Sequence, residues 1–142
     1  MQAADKNGLY RKWPFCTPSR SLGLLGGNVG VLAGVRRHAP QDFGIPTVAA
    51  HELFYGAYRS ARQTQNLALL DGLRLAVLEF DKEDARQAGE VWAMLVAAGT
   101  PIGPYEVLIA GQALARGLVL VTHNVGEFAR VTGLQVEDWQ NE

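Results

Sequence analysis

From Ile45 onward, short β-prone apolar runs alternate with longer stretches whose apolar residues recur at helical spacing, and few folds can absorb that rhythm. Strands joined through helices pair in parallel by crossovers, and the sheet they make is covered on both faces. The expectation is therefore an α/β fold, a three-layer α/β/α sandwich with a central parallel sheet. Ile45 to Val48, after Gly44, reads as a buried strand. Leu53, Ala57 and Ala61 then fall at four-residue steps, on one face of a helix from Ala49 to Ser60. Leu67, Leu70 and Leu73 keep step over a second helical stretch, and Leu75 to Phe80 reads as the next strand. Asp81 is a good N-cap with Asp84 three residues on, and the helix they open runs through Val91 and Leu95 to about Ala98, where Gly99 stops it. Pro104 suits the first turn of a helix that stops at Gly117. Leu118 to Thr122 is nearly unbroken apolar sequence, as interior parallel strands are. A short helix around Glu127 to Val131 and a β-prone piece, Leu134 to Trp139, complete the pattern. Trp13, Trp92 and Trp139 read as packing groups.

With 142 residues the chain has the length of one domain. Residues 29–142 are the expected bounds of that domain. Residues 1–28 are rich in Gly, Pro, Ser and basic groups, and they form an atypical N-terminal segment of uncertain structure. The nearest thing to an opening strand there, Leu22 to Leu25, is interrupted by Gly23. No run approaches the ~18 apolar residues of a membrane span, so no membrane partner is expected. Cys16 is the only cysteine, which allows no internal disulfide and makes a cytoplasmic location the expectation. Thirteen basic against 14 acidic side chains give a net charge of −1, without the cationic excess of a general nucleic-acid coat protein. Zinc is not expected either. The three histidines are scattered, and His51-Glu52 lacks a second histidine four residues on.

In parallel sheets the ligand site lies beyond the carboxyl ends of the strands, and three acidic residues are placed to reach that edge. Glu52 stands on the helix after the strand at Ile45, and Glu127 follows Leu118–Thr122 with Asn124 between. Glu106, in the first turn of the helix opened by Pro104, joins them if that helix runs antiparallel to the strand it feeds. Clustered carboxylates repel one another and lose hydration unless a cation neutralises them. Oxygen donors without thiolates or paired histidines favour Mg²⁺ or Mn²⁺. An ion at an open sheet edge polarises a phosphate and activates water, which makes phosphodiester hydrolysis the natural chemistry. For Glu52 or Glu106 alone, an ordinary solvated or helix-start acid is the commoner explanation. The trio gains weight from the motifs around it.

Those motifs are specific. Pro101-Ile102-Gly103-Pro104-Tyr105-Glu106-Val107-Leu108-Ile109-Ala110 resembles the P-I-G-P-Y-D-x-L-I-A segment of the PIN-domain endoribonucleases, specifically the VapC-like toxins of bacterial toxin–antitoxin pairs. Leu120-Val121-Thr122-His123-Asn124 through Glu127-Phe128, Arg130-Val131 and Gly133-Leu134 is similar to that family's L-V-T-N-N-x-x-E-F-x-R-V-x-G-L. Glu52-Leu53-Phe54-Tyr55-Gly56-Ala57 resembles its E-L-x-Y-G-A, and Val136-Glu137-Asp138-Trp139 looks like its usual ending. The resemblance implies a small α/β/α sandwich that binds Mg²⁺ and cuts RNA, as a homodimer held silent by a cognate VapB-like antitoxin. It places Glu52 and Glu106 at two of the family's acidic positions, and Asn124 with Glu127 in a third region. The metal ligands would then be Glu52, Glu106 and Glu127, one of them acting through water, while Asn124 orients a water or a phosphate. Arg59, Arg62, Arg116 and Arg130 become candidate RNA phosphate contacts, against the plainer reading of solvated surface arginines. His123 ranks below Asn124, because the family has asparagine there.

Two departures stand out. The family opens with a hydrophobic strand ending in L-D-T-N, whose aspartate is a metal ligand, and no such motif occurs here: Asp5 is the only acid before Asp42. Val31-Leu32-Ala33 with Arg36-Arg37-His38-Ala39-Pro40 does look like the family's helix before its second strand, so the mismatch is confined to the start. The expectation is a divergent or frameshifted start: Trp13-Pro14-Phe15-Cys16-Thr17-Pro18 is what codons for an A-L-L-D-T-N-like stretch could give if read one base out of step. The second departure is Glu106 in place of aspartate, which moves the carboxylate by ~1.5 Å against the near-ideal octahedron that Mg²⁺ demands. The alternative function is accordingly a catalytically impaired PIN-like domain that retains antitoxin or partner binding, with Phe54, Tyr55 and Tyr58 either in a docking groove or in the core.

Overall fold

Each strand of the sheet is only two or three residues long. The computed structural model of the chain describes residues 14–16, 44–72, 76–122 and 124–138. In chain order the elements are β1 (Pro14–Cys16), β2 (Gly44–Pro46), α1 (Thr47–Arg59), α2 (Gln63–Gly72), β3 (Ala76–Leu78), α3 (Lys82–Ala97), α4 (Pro104–Arg116), β4 (Val119–Val121), α5 (Val125–Phe128) and β5 (Val136–Glu137). The five strands form one sheet in the order β3-β2-β1-β4-β5, and every pairing is parallel. The alternation of strand and helix thus gives the expected α/β/α architecture. The chain builds outward from β1 on one side through β2 and β3, then crosses to the other side for β4 and β5. That reversal of strand order is where an open α/β sheet leaves a crevice at the carboxyl ends of its strands.

The central strand is one that the apolar pattern does not announce. Pro14–Cys16 aligns with Val119, Leu120 and Val121 of β4, and Phe15 aligns with Gly44 of β2. A proline is tolerated there because it is the first residue of the strand, where a missing ladder donor matters least. The candidate strand Leu22–Leu25 and the segment Val31–Pro40 lie outside the described residues, as do Trp13, Trp139, Leu73 and His123.

Several expected boundaries move. The strand at Ile45 ends at Pro46 rather than Val48, because Thr47 already begins α1 and its hydroxyl donates to the Leu78 carbonyl at 2.9 Å. β3 ends at Leu78 rather than Phe80, Leu75 lying outside the described residues, and the side chains of Thr47, Gln112 and Arg116 take the carbonyls of Leu78 and Glu79. The closing strand contracts to Val136–Glu137, and the short helix starts two residues early, at Val125. Helix chemistry is placed as expected. Asp81 and Asp84 form a reciprocal capping box with hydrogen bonds of 3.0 and 2.9 Å, Pro104 opens α4, and Gly117 ends it in the left-handed region at φ 65°.

The core draws on every layer: Ile45 from β2, Leu53 from α1, Leu95 from α3, Ile109 from α4, Leu120 from β4 and Phe128 from α5. Ala110 and Ala113, on the same flank of α4 as Glu106, are fully buried against it. Ala61 and Ala98, expected on buried stripes, are exposed because their helices end before them. Trp92 is not a packing group. The buried stripe of α3 is Ala88, Val91 and Leu95, and Trp92, about 100° round the helix from Val91, is 61% exposed. Among the described residues no helix is long and apolar enough to cross a membrane.

Candidate active site

Glu52 lies on the second turn of the helix that follows β2, and Glu127 on the short helix that follows β4. Both therefore stand at the carboxyl edge of the sheet, flanking β1. Glu106 joins them. The N-terminus of α4 is fixed at that edge by a hydrogen bond from the Gly103 N–H to Glu127 Oε1 at 3.0 Å. Gly103 is itself the N-cap of α4, between an extended loop and Pro104. A Cβ on Gly103 would fall on the Glu106 carboxylate, so a side chain there would push that carboxylate out of its place.

The three carboxylates form an electrostatic chain with Glu106 in the middle. Burial raises the pKa of Glu52, the negative charge of Glu106 raises it further, and His51 partly offsets both. Glu106 is also raised, first by burial, then by the charge of Glu127, against a lowering contribution from its own backbone N–H. Glu127 goes the other way. The Asn124 amide lowers it most, burial opposes, and the Gly103 N–H and Arg130 lower it further. Asn124 Nδ2 donates to Glu127 Oε2 at 2.5 Å, so both oxygens of Glu127 are engaged within the protein. As arranged, no three His, Cys, Asp or Glu groups among the described residues stand close enough to share one ion. The donor chemistry nevertheless suits a hard cation. Glu52 and Glu106 are half-buried oxygen donors whose charged forms are disfavoured by burial and by negative neighbours, a penalty that a divalent ion reverses.

Around them, His51 and Tyr105 meet edge to face with ring centroids 5.7 Å apart, bridging α1 and α4 beside Glu52 and Glu106. Of the candidate phosphate contacts, Arg130 lies beside the site: exposed, it donates to the Pro101 carbonyl at 2.8 Å. Arg59 and Arg62 are exposed on and after α1, Arg59 bonding Tyr55 Oη at 3.0 Å with its guanidinium 5.7 Å from the ring centroid. Arg116 is a correction. It is 7% exposed at the far end of α4, and its guanidinium bonds Asp84 Oδ2 at 2.8 Å and the Glu79 carbonyl at 2.5 Å. Its Nε and Nη2 are committed to Asp84 and the Glu79 carbonyl, which holds the group at the end of α4 opposite the carboxylates. Phe54, Tyr55 and Tyr58 are 42, 58 and 60% exposed, which removes them from the core.

One role at the site escapes a reading of the chain by motif: Gly103 acts through its N–H, and its signal is a glycine between Pro101 and Pro104. Away from the site, Asp84 serves both the α3 cap and Arg116, and nothing in the spacing of residues 84 and 116 foretells that pair.

Comparison with known proteins agrees with this geometry. Residues 31–134 match the PIN domain family. Over 97 residues, 67% of this chain and 74% of the relative, the sequence is 45% identical to the tRNA(fMet)-specific endonuclease VapC of Salmonella typhimurium. It is 34% identical over 97 residues, with the same 67% and 74% coverage, to Ribonuclease VapC2 of Haemophilus influenzae. Among solved structures, DNA-bound VapBC from Salmonella typhimurium superposes with a TM-score of 0.81 at 34% identity, covering 89% of this chain and 98% of that one. VapBC2 from Rickettsia felis, bound to a promoter DNA fragment, gives 0.79 at 27% identity with the same 89% and 98% coverage. With the sheet order, the edge carboxylates and these matches in agreement, the chain belongs to the PIN-domain family, among its VapC-like members.

Proposed function

We propose that this chain is an endoribonuclease toxin that hydrolyses RNA phosphodiester bonds, with Mg²⁺ as cofactor and Mn²⁺ able to replace it. A VapB-like antitoxin is its partner, it assembles as a homodimer, and it works in the cytoplasm. The observation that carries this reading is that α1 and α4 bring Glu52 and Glu106, 54 positions apart in the chain, to the switch point of the sheet as half-buried carboxylates, with the rings of their neighbours His51 and Tyr105 in contact at 5.7 Å. The similar proteins support it by what they are: an endonuclease specific for tRNA(fMet), a ribonuclease, and VapBC assemblies solved on DNA.

Glu52 and Glu106 would hold the metal, with Glu127 the indirect member of the trio. Bound there, a divalent ion supplies Lewis-acid polarisation of a phosphate and a water of lowered pKa. The chain's own groups do the rest. Glu106 stands over the first turn of α4, where the helix dipole favours its negative charge. Asn124 commits its amide N–H to Glu127, which leaves its carbonyl oxygen to orient a water. Arg130, beside the site, and Arg59 and Arg62, further out on an exposed face, offer guanidinium donors to the RNA backbone.

The test is RNA cleavage with and without Mg²⁺, paired with calorimetric titration of Mn²⁺. Cleavage should require the metal, and Glu52→Gln should lower it by about 100-fold or more. Metal-independent cleavage, or full activity in Glu52→Gln, overturns the reading. A folded chain that cleaves at no metal level would leave it a binding protein only.

A further inference from the structure

We infer that Glu127, Asn124 and Arg130 form a clamp on the loop before α4, and that Glu127 is a positioning residue whose task is to keep the Glu106 carboxylate off the Gly103 N–H. The inference rests on the proposed metal-dependent reading of Glu52 and Glu106, and it concerns how one of those two carboxylates is kept available.

The reason lies in helix-end chemistry. Counting from the N-cap Gly103, Glu106 occupies the third helical position. A glutamate there ordinarily reaches back and accepts the N-cap N–H, the second half of a capping box. The same chain shows the ordinary outcome at α3, where Asp84, also at the third position, accepts the Asp81 N–H at 2.9 Å. At α4 the equivalent N–H is already taken. Gly103 donates to Glu127 Oε1, 24 residues away, at 3.0 Å. Glu106 lies close over Gly103 all the same: a Cβ on Gly103 would strike its carboxylate.

Two further contacts hold Glu127 to this work. Its other oxygen accepts from Asn124 Nδ2 at 2.5 Å. Arg130, three residues on and so on the same flank of the segment, donates to the Pro101 carbonyl at 2.8 Å. Glu127 and Arg130 thus grip the loop at Gly103 and Pro101. Pro101 and Pro104 have no N–H of their own, which leaves Ile102 and Gly103 as the loop's only donors before Tyr105. One of those two is the bond that Glu127 makes.

The neutral isostere separates a clamp from a ligand. In Glu127→Gln the new amide's Oε1 still accepts from Gly103, and a flipped Asn124 amide accepts from its Nε2. A direct ligand, by contrast, needs its charge. Mn²⁺ affinity, measured by calorimetry on the full chain, should fall about 10–100-fold in Glu127→Ala and stay within about threefold in Glu127→Gln. Equal damage from both substitutions, or none from either, overturns the clamp. If the unmodified chain binds no Mn²⁺, the metal reading fails, and the clamp is judged without metal by amide hydrogen exchange at Gly103. In a Glu106→Ala background, adding Glu127→Ala should speed that exchange by about tenfold or more, while adding Glu127→Gln should leave it within about threefold. Unchanged exchange in the Glu127→Ala combination disproves the clamp.

Discussion

Arg116→Met is expected to destabilise the fold by about 3–5 kcal/mol, because it strands a buried carboxylate. Asp84 is 1% exposed and Arg116 7% exposed. Two guanidinium nitrogens reach Asp84, at 2.8 and 3.3 Å, and one of them also bonds the Glu79 carbonyl at the end of β3. Gln112, fully buried one turn earlier on α4, donates to the same carbonyl at 2.9 Å. The group of contacts ties the carboxyl end of the edge strand to α4, in place of a further strand. Methionine fills much of the volume but leaves the Asp84 charge without its cation and the Glu79 carbonyl short of a donor. Arg130→Met is the comparison, since Arg130 is exposed and makes one hydrogen bond to the Pro101 carbonyl, and it should cost no more than about 1.5 kcal/mol. The double variant Asp84→Ala/Arg116→Met should lose less than the sum of its single variants, because the stranded charge is gone. Chemical denaturation measures all of these. A loss below about 1 kcal/mol in Arg116→Met would mean that water reaches the pair.

These two arginines show where a sequence stops speaking. Arg116 and Arg130 are alike as letters, each near the end of an expected helix, and both are reasonable phosphate contacts on that basis. Sequence tells which element a side chain stands on, but the direction of solvent depends on what packs against that element. The same limit governs the strands. Asp81, Gly99, Pro104 and Gly117 mark their helix ends through chemistry contained within a few residues, and the structure uses each of them. A strand's extent is set instead by partners far away in the chain. Pro14-Phe15-Cys16 has no period and no apolar run, yet it is central because Val119–Val121 and Gly44 align with it. The candidate site was legible for a reason of topology. A parallel sheet sends the residues after its strands to one edge, so Glu52 and Glu127 had to share it, and the turn at Gly117 fixed the direction of α4 and the place of Glu106. The division of labour among the three was not legible, since it depends on which one wins the Gly103 N–H.

Gly111→Ala and Gly89→Ala make the same chemical change on two helices packed against each other, and they should act with opposite signs. Gly111 is buried in the middle of α4. A Cβ added there would overlap the N, Cα and Cβ atoms of Ala88 on α3. Two of those three are backbone atoms, so no rotamer change relieves the overlap and the helices must move apart. That movement loosens the contacts of Val91 and Leu95 with the α4 side of the core. Overpacking of this kind should destabilise by about 3 kcal/mol, the upper part of the usual range, because the obstacle is main chain. The gain in helix propensity, about 1 kcal/mol for alanine over glycine, is too small to reverse the sign. Gly89, one residue beyond Ala88, is exposed, and nothing lies within 4 Å of a Cβ placed on it. There the propensity term acts alone, and Gly89→Ala should stabilise by about 0.5–1 kcal/mol. Unfolding midpoints of the two variants, measured side by side, decide the point. A stabilising Gly111→Ala would show that the α3–α4 contact yields without loss, and that glycine at 111 is not what brings these helices so close.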